Sequence, residues 1–175
     1  KSGVVTAVVA DEDAAKDLVG EILSYLPTSN AELAPFRPTT DSVDRPCPEL
    51  RDILPTNASG SYDVRHVIEA IADDQVITEL RAEWAGNLIT AFANVGGYAV
   101  GIVANQPQVL AGTLDIAASQ KGARFVSLCD AFNVPLLTFV DTPGFQPGKD
   151  LEWRGMIRHG AQLAFAYARA SVPRI

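Results

Sequence analysis

Six prolines fall within residues 27–61: Pro27, Pro35, Pro38, Pro46, Pro48 and Pro55. Proline has no N–H to donate and a locked φ, so neither a long helix nor a central strand can run through such a stretch. The residues between them are rich in Ser, Thr, Asn and Asp, with irregular apolar spacing. The stretch reads as a long ordered connection, with a short helical turn at 49–53. A connection of this length is rare inside one compact unit, so it divides the chain. Residues 1–26 fall to one unit and 62–175 to another.

Before the connection, the apolar, β-branched run at 3–10 predicts a strand. Residues 11–26 predict a helix capped by Asp11, with Val19, Ile22, Leu23 and Leu26 at i, i+3, i+4 and i+7. After it, Asp63 caps a helix whose face is Val64, Val67, Ile68 and Ile71. Strands are predicted at 76–82, 87–94 and 98–104, the last two joined by Asn94-Val95-Gly96-Gly97 as a hairpin turn. A helix follows over 115–133, with Phe125, Leu128, Cys129 and Phe132 on one face. Residues 135–141 form an unbroken apolar strand of the kind buried on both faces. A Gly/Pro loop at 142–148, one alanine-rich helix over 151–171 and a strand entering at Val172 complete the chain. Both ends lack a polar taper, so the chain reads as an excerpt of a longer protein. The class is α/β, with antiparallel strands feeding parallel β-α units, and sites in such sheets lie at the carboxyl ends of the parallel strands.

Lys plus Arg is 14 and Asp plus Glu 21, a net charge of −7. That balance argues against nucleic acid as the main partner, since phosphate binding needs a basic surface. No apolar run approaches the ~18 residues of a membrane span, and the start lacks the ordered regions of a signal peptide. Cys47 and Cys129 have no Cys/His spacing that supports a disulfide or a metal site. Cys129 reads as a buried thiol and Cys47, between two prolines, as a loop residue. Unpaired cysteines point to a reducing compartment, and the expected location is cytoplasmic.

The best local candidate for chemistry is the loop Asp141-Thr142-Pro143-Gly144-Phe145-Gln146-Pro147-Gly148. Its glycines would bring backbone N–H groups close to a ligand, and a helix start favours negative charge. Phe145 would form a pocket wall. The plainer reading is a stiff turn with no ligand, and the loop lacks a phosphate-loop pattern. The second candidate is Arg158-His159-Gly160-Ala161. Gly155 and Gly160 inside a helix cost ~1 kcal/mol each, so they point to close approach by a ligand or another backbone. Close helix packing explains them equally, and a lone His159 reads as a surface or core residue. Third, Lys121 and Arg124 on one helix face would steer a phosphate-bearing ligand, unless that face is simply solvated. Asp73-Asp74 and Asp11-Glu12-Asp13 read as caps and solvated ends, and His66 as structural. No Gly-x-Ser-x-Gly elbow or Ser/His/Asp set is present. The residues alone specify a strand-end backbone site and no reaction.

Several ordered motifs add to this. They are Tyr62-Asp63-Val64-Arg65, Gly101-Ile102-Val103-Ala104-Asn105-Gln106-Pro107, Lys121-Gly122-Ala123-Arg124-Phe125 and Cys129-Asp130-Ala131-Phe132-Asn133. Thr138-Phe139-Val140-Asp141-Thr142-Pro143-Gly144-Phe145, Gly155-Met156-Ile157-Arg158-His159-Gly160-Ala161 and Ala170-Ser171-Val172-Pro173 follow. Together with Leu18 to Pro27 and Pro48-Glu49-Leu50, they resemble the carboxyltransferase (β) subunits of biotin-dependent acyl-CoA carboxylases, of the acetyl-/propionyl-CoA type.

The resemblance implies a crotonase-like fold, duplicated in the parent chain. Residues 1–26 would end an N-terminal subdomain, 27–61 would be the connection, and 62–175 would begin the C-terminal, biotin-side subdomain. It implies an acyl-CoA substrate, carboxybiotin presented by a biotin carboxylase or carrier subunit, no metal, and a homo-oligomer (a dimer or trimer of dimers) with the site at a dimer interface. CO₂ would pass to the α-carbon of the thioester through an enolate, with developing oxyanions held by backbone N–H pairs rather than by a titrating base. Those Gly-Gly and Gly-Ala pairs are expected outside residues 1–175, and Gly160-Ala161 is not one of them, so no catalytic residue is assigned here. The biotin-side pocket would comprise Gly144, Phe145, Gln146, Pro147, Gly148, Gly155, Arg158, Gly160 and Ala161, bordered by Asn105, Gln106 and Pro107. Gln146 stands where an apolar residue is expected. A decarboxylase subunit of the same fold and a non-catalytic scaffold are the alternatives.

Overall fold

The computed structural model describes residues 2–57 and 60–175. Its helices are α1 (Glu12–Ser24), α2 (Val64–Ile71), α3 (Ile116–Ala131), α4 (Lys149–Trp153) and α5 (Met156–Arg169). Its strands are β1 (Ile77–Glu79), β2 (Leu88–Val95), β3 (Tyr98–Asn105) and β4 (Leu136–Phe139), in the sheet order β1-β2-β3-β4. β1–β2 and β2–β3 are antiparallel, and β3–β4 is parallel. The expected meander feeding a parallel unit is therefore present.

Alternation along β2 builds two apolar layers. Leu88 and Phe92 face a core containing Phe125, Val126 and Cys129 of α3 together with Leu136. Ile89, Ala91 and Ala93 face the other way, onto Val64 and Ile68 of α2 with Ile102 and Ala104 of β3. Phe92 stacks on Tyr25, the residue that ends α1, with ring centroids 5.4 Å apart, and tilts against Phe125 at 5.1 Å. Each such aromatic contributes about 1.5–3 kcal/mol by leaving water. The Tyr25 hydroxyl shares a 3.1 Å hydrogen bond with Thr78 of β1, so the phenol is not orphaned.

Gly96 and Gly97 turn the β2–β3 hairpin with φ of 59° and 84°, the left-handed values a two-residue loop requires. Their N–H groups both donate to one carboxylate, Asp73, at 2.8 and 2.7 Å. Asp73 is thus buried beneath the turn, which corrects its reading as a solvated end; Asp74, beside it, is exposed. The connection is tied down along its length. Arg37 N–H donates to the Gly97 carbonyl, Phe36 pairs with Tyr98, and Asn133 Nδ2 donates to the carbonyls of Asn30 and Glu32. Its helical turn spans Pro48–Arg51.

Four expectations need correction. Residues 3–10 form no strand: no strand of the described residues runs beside them, and Val4, Val5 and Val8 are exposed. A strand is a paired object, and this segment receives one ladder-like bond, from Arg81 N–H to the Thr6 carbonyl. On α1, Val19 and Leu23 face solvent, and Ile22 and Leu26 pack inward with Tyr25. β4 is less covered than expected among the described residues: Leu136 is buried, the strand beyond it is half-buried, and Val140 is 76% exposed. On the outer side of β4, residues 173–175 run parallel to it: Leu136 N–H donates to the Pro173 carbonyl, Ile175 N–H to the Leu136 carbonyl and Thr138 N–H to the Ile175 carbonyl, in line with a strand entering at Val172. The predicted single helix over 151–171 is two, α4 and α5, because Gly155 adopts φ 86° between them and breaks the helical path.

Lys121 also departs from its reading. It is 0% exposed, and its Nζ donates to the carbonyls of Arg81, Trp84 and Ala85 at 3.0, 3.0 and 3.4 Å. It therefore steers no ligand; it ties α3 to the loop before β2, whereas Arg124 stays outside. Burial pushes the ammonium pKa down to about 8.

Two measurements probe these contacts. Asp73→Ala leaves two turn N–H groups without their acceptor and is expected to cost about 1–3 kcal/mol in urea denaturation. Lys121 has a folded pKa of about 8 against 10.5 unfolded, so between these values the unfolded chain holds the extra proton. Stability rises with pH across that window and is lost as pH falls through 8. The stability difference between wild type and Lys121→Met should therefore move in favour of wild type by about 3 kcal/mol from pH 8 to 10.5. A flat difference would contradict a charged, desolvated Lys121.

Candidate functional site

The parallel pairing of β3 with β4 brings two loops out at the same carboxyl ends. One runs from Asn105 to Asp115 and contains Leu114; the other runs from Val140 to Gly148. They are stitched together. Leu114 N–H donates to the Gly144 carbonyl at 3.0 Å, and Gln146 N–H returns to the Leu114 carbonyl at 2.9 Å, a one-residue parallel bridge centred on Phe145. Within the loop, Gly144 N–H donates to Thr142 Oγ1 at 3.1 Å. The expected cradle of free N–H groups is therefore absent at Gly144 and Gln146, whose donors are spent holding the loop. The short α4 after Gly148 has no side-chain cap.

What the loop presents is a ring and a gap. Phe145 is 52% exposed. Its ring rests on α5 where Gly160 leaves room: a Cβ at Gly160 would stand 2.8 Å from Phe145 Cε1. The helix glycine is thus explained by close approach of a side chain from the candidate loop, and two separately predicted site residues meet. A Cβ on Gly144 would meet nothing within 4 Å, so the backbone beside the ring is open. Gln146 is half-buried, and Pro147 and Gly148 are exposed.

Gly155 and Arg158 form a second pair, with Arg158 Nη2 3.3 Å from where a Gly155 Cβ would lie. Gly155 is the N-cap of α5 rather than an interior helix residue. Ala161 and Arg158 are exposed on α5. His159 shares a 3.2 Å hydrogen bond with Gln120 of α3. Asn105 and Gln106 are buried and occupied by protein. Asn105 Nδ2 donates to the Gly112 carbonyl at 3.0 Å and its Oδ1 accepts from Asp141 N–H at 3.3 Å. Gln106 Nε2 donates to Asp63 Oδ1 at 2.6 Å, on the α2 side. Asn105 thus braces the start of the loop from behind, Gln106 holds the cap of α2, and Pro107 is half-buried beside them.

One contact escaped sequence reasoning, and one residue was given the wrong role. Tyr62 Oη donates to Asp141 Oδ2 at 2.8 Å across 79 residues, and nothing local announces such a bond. Lys121 did carry a signal: it precedes Phe125 and Cys129 by one and two turns, on the apolar face. Among the described residues no group of three His, Cys, Asp or Glu is placed to hold a metal, and no helix is long and apolar enough to cross a membrane. A groove of about 790 Å³ between α3 and α5, flanked by Arg124 and Arg169, does not include the loop.

A family model described as carboxyl transferase domain matches residues 1–175. The methylmalonyl-CoA carboxyltransferase 12S subunit of Propionibacterium freudenreichii subsp. shermanii is 50% identical over 99% of this chain and 33% of its own length. The mitochondrial propionyl-CoA carboxylase beta chain of Sus scrofa is 50% identical over 89% of this chain and 29% of its own. The methylmalonyl-CoA decarboxylase subunit alpha of Veillonella parvula is 45% identical over 99% and 34%. In structure, the transcarboxylase 12S crystal structure, with methylmalonyl-coenzyme A and methylmalonic acid bound, superimposes with a TM-score of 0.94 at 49% identity, over 99% of this chain and 33% of that one. The chain spans about a third of the length of these relatives. The fold is crotonase-like α/β.

Gly160→Ala isolates the ring's seat. The helix gains about 1 kcal/mol in propensity, which offsets the local strain, so the melting temperature should stay within about 3 °C of wild type. The Phe145 ring must move outward, read as faster hydrogen exchange across 143–147. Unchanged exchange with an intact fold would mean that the ring does not depend on Gly160.

Proposed function

The chain belongs to the carboxyl transferase domain family, and from that premise we propose that it forms part of a carboxyltransferase moving CO₂ from carboxybiotin to the α-carbon of an acyl-CoA. Residues 62–175 would be the first part of the biotin-side subdomain, 1–26 the end of the preceding one, and 27–61 their connection. The observation that carries the reading is Phe145: a half-exposed ring, seated on Gly160 at the carboxyl end of a parallel strand, beside an open backbone at Gly144.

The residues present suit a flat bicyclic group with an apolar edge. Carboxybiotin, when bound, supplies the CO₂. The chain's own part is to offer one apolar wall, keep it rigid through the Leu114 bridge, and exclude water from the face it covers. Pro147, Gly148, Gly155, Arg158 and Ala161 would complete the rim. The N–H pairs that hold charge as the α-carbon loses its proton belong, on this reading, to glycine pairs beyond residues 1–175. The spent donors at Gly144 and Gln146 fit that division of labour.

Propionyl-CoA is the favoured acyl group over acetyl-CoA, since the relatives at 45–50% identity are named for propionyl-CoA and methylmalonyl-CoA. The two substrates differ by one methylene, worth only ~1–3 kcal/mol in a pocket. The partners would be a biotin-carrying subunit and further copies of the chain, in a cytoplasmic setting that keeps Cys47 and Cys129 as free thiols. A decarboxylase role is the second reading, favoured by the Veillonella relative. Incubation of the complete gene product with methylmalonyl-CoA or malonyl-CoA and free biotin should give biotin-dependent loss of the carboxyl group, faster with methylmalonyl-CoA. A folded protein inert with both would overturn the proposal.

A further inference from the structure

Tyr62 stands where the proline-rich connection ends, one residue before the Asp63 cap of α2. Its hydroxyl donates to Asp141 Oδ2 at 2.8 Å. Asp141 opens the loop that carries Phe145. Its backbone is held from behind: its N–H donates to Asn105 Oδ1 at 3.3 Å, and its carbonyl lies so close to Gly112 that a Cβ there would collide with it. Asn105 is itself anchored to the Gly112 carbonyl at 3.0 Å. From Gly144 onward the loop is fixed by Leu114. Between the end of β4 and that bridge, Val140 points outward and Asp141 is where the described residues grip the chain. Asn105 and Gly112 locate its main chain. Its carboxylate has one hydrogen-bond partner among the described residues, Tyr62, and no ion pair.

We infer that Tyr62 is a positioning residue: the Tyr62–Asp141 hydrogen bond latches the start of the 62–175 unit to the loop and sets the direction in which that loop leaves β4, and so where Phe145 stands. The inference rests on the reading of Phe145 as the biotin-side wall for its catalytic consequence; the latch itself does not. Burial first, and then the Asp141 carboxylate as acceptor, push the Tyr62 hydroxyl up to about 12, so it stays a donor at any working pH. The bond also means that the first residue after the connection acts on the same loop that the resemblance assigns to the pocket.

The test uses the complete gene product and two readouts. Tyr62→Phe removes only the hydroxyl. It should speed hydrogen exchange of the 141–148 amides, and raise KM for free biotin, by roughly two- to tenfold, the range for losing one hydrogen bond, while KM for the acyl-CoA and the melting temperature stay put. Asp141→Asn keeps an acceptor oxygen and should change less. The double variant should match Tyr62→Phe alone, because the two side chains act as one unit. Unchanged exchange in Tyr62→Phe overturns the latch. So does an equal rise in both Michaelis constants with a lower melting temperature, which marks a general structural role. If wild type shows no biotin-dependent reaction, the functional reading fails by itself, and the exchange data alone decide the latch.

Discussion

Along β2, Leu88 and Phe92 point one way while Ile89, Ala91 and Ala93 point the other, and both sets are shut off from water. A sheet with two apolar faces needs a cover on each, and α2 and α3 are those covers. The rest of the molecule follows from that demand. α3 must lie flat across the sheet, so every position on its inner face is buried, including Lys121. A buried ammonium needs acceptors, and it finds the main-chain carbonyls of Arg81, Trp84 and Ala85. That loop in turn receives the first residues of the chain, through Arg81 N–H to Thr6 and Arg81 Nε to the Gly3 carbonyl.

The same layering decides what kind of site the chain can offer. Because β3 and β4 run parallel, their following loops emerge side by side and satisfy each other's backbone groups through Leu114 and Phe145. A loop whose donors are spent in this way is stiff but poor at stabilising charge. It can hold an aromatic ring still, and Gly160 gives that ring a seat on α5. On the proposed function, shape and charge stabilisation would be separated: the loop would supply the wall, and the electrostatic work would fall to other backbone groups.

Much of this was legible because local signals agree with the tertiary demand. Asp11 and Asp63 each cap the helix they precede, with side-chain oxygens accepting N–H groups in the first turn. Gly96-Gly97 turn the hairpin as their positive φ allows. The misreadings have a common cause, in that hydrophobicity says a residue seeks a partner but not which one it finds. Residues 3–10 have strand composition and no neighbouring strand among the described residues. Val140 looks buried in the sequence, yet it is 76% exposed among the described residues. At the site, Phe145 and Gly160 were each visible in the sequence, but their contact was not, since it joins a loop to a helix through a missing Cβ. Tyr62 and Asp141 meet only because α2 covers one sheet face and β4 ends beside it.

Lys121 carries one last consequence. An amine whose ammonium form is destabilised is more often neutral near pH 8 than an exposed lysine, and the neutral form is the nucleophile. A protein proposed to handle acyl thioesters works among electrophiles that acylate such amines. With no exposed surface and three carbonyls around it, Lys121 is kept from them by access alone. The core that makes this side chain intrinsically reactive is also its shield, so its acylation would mark molecules whose α3 has at some moment lifted from the sheet.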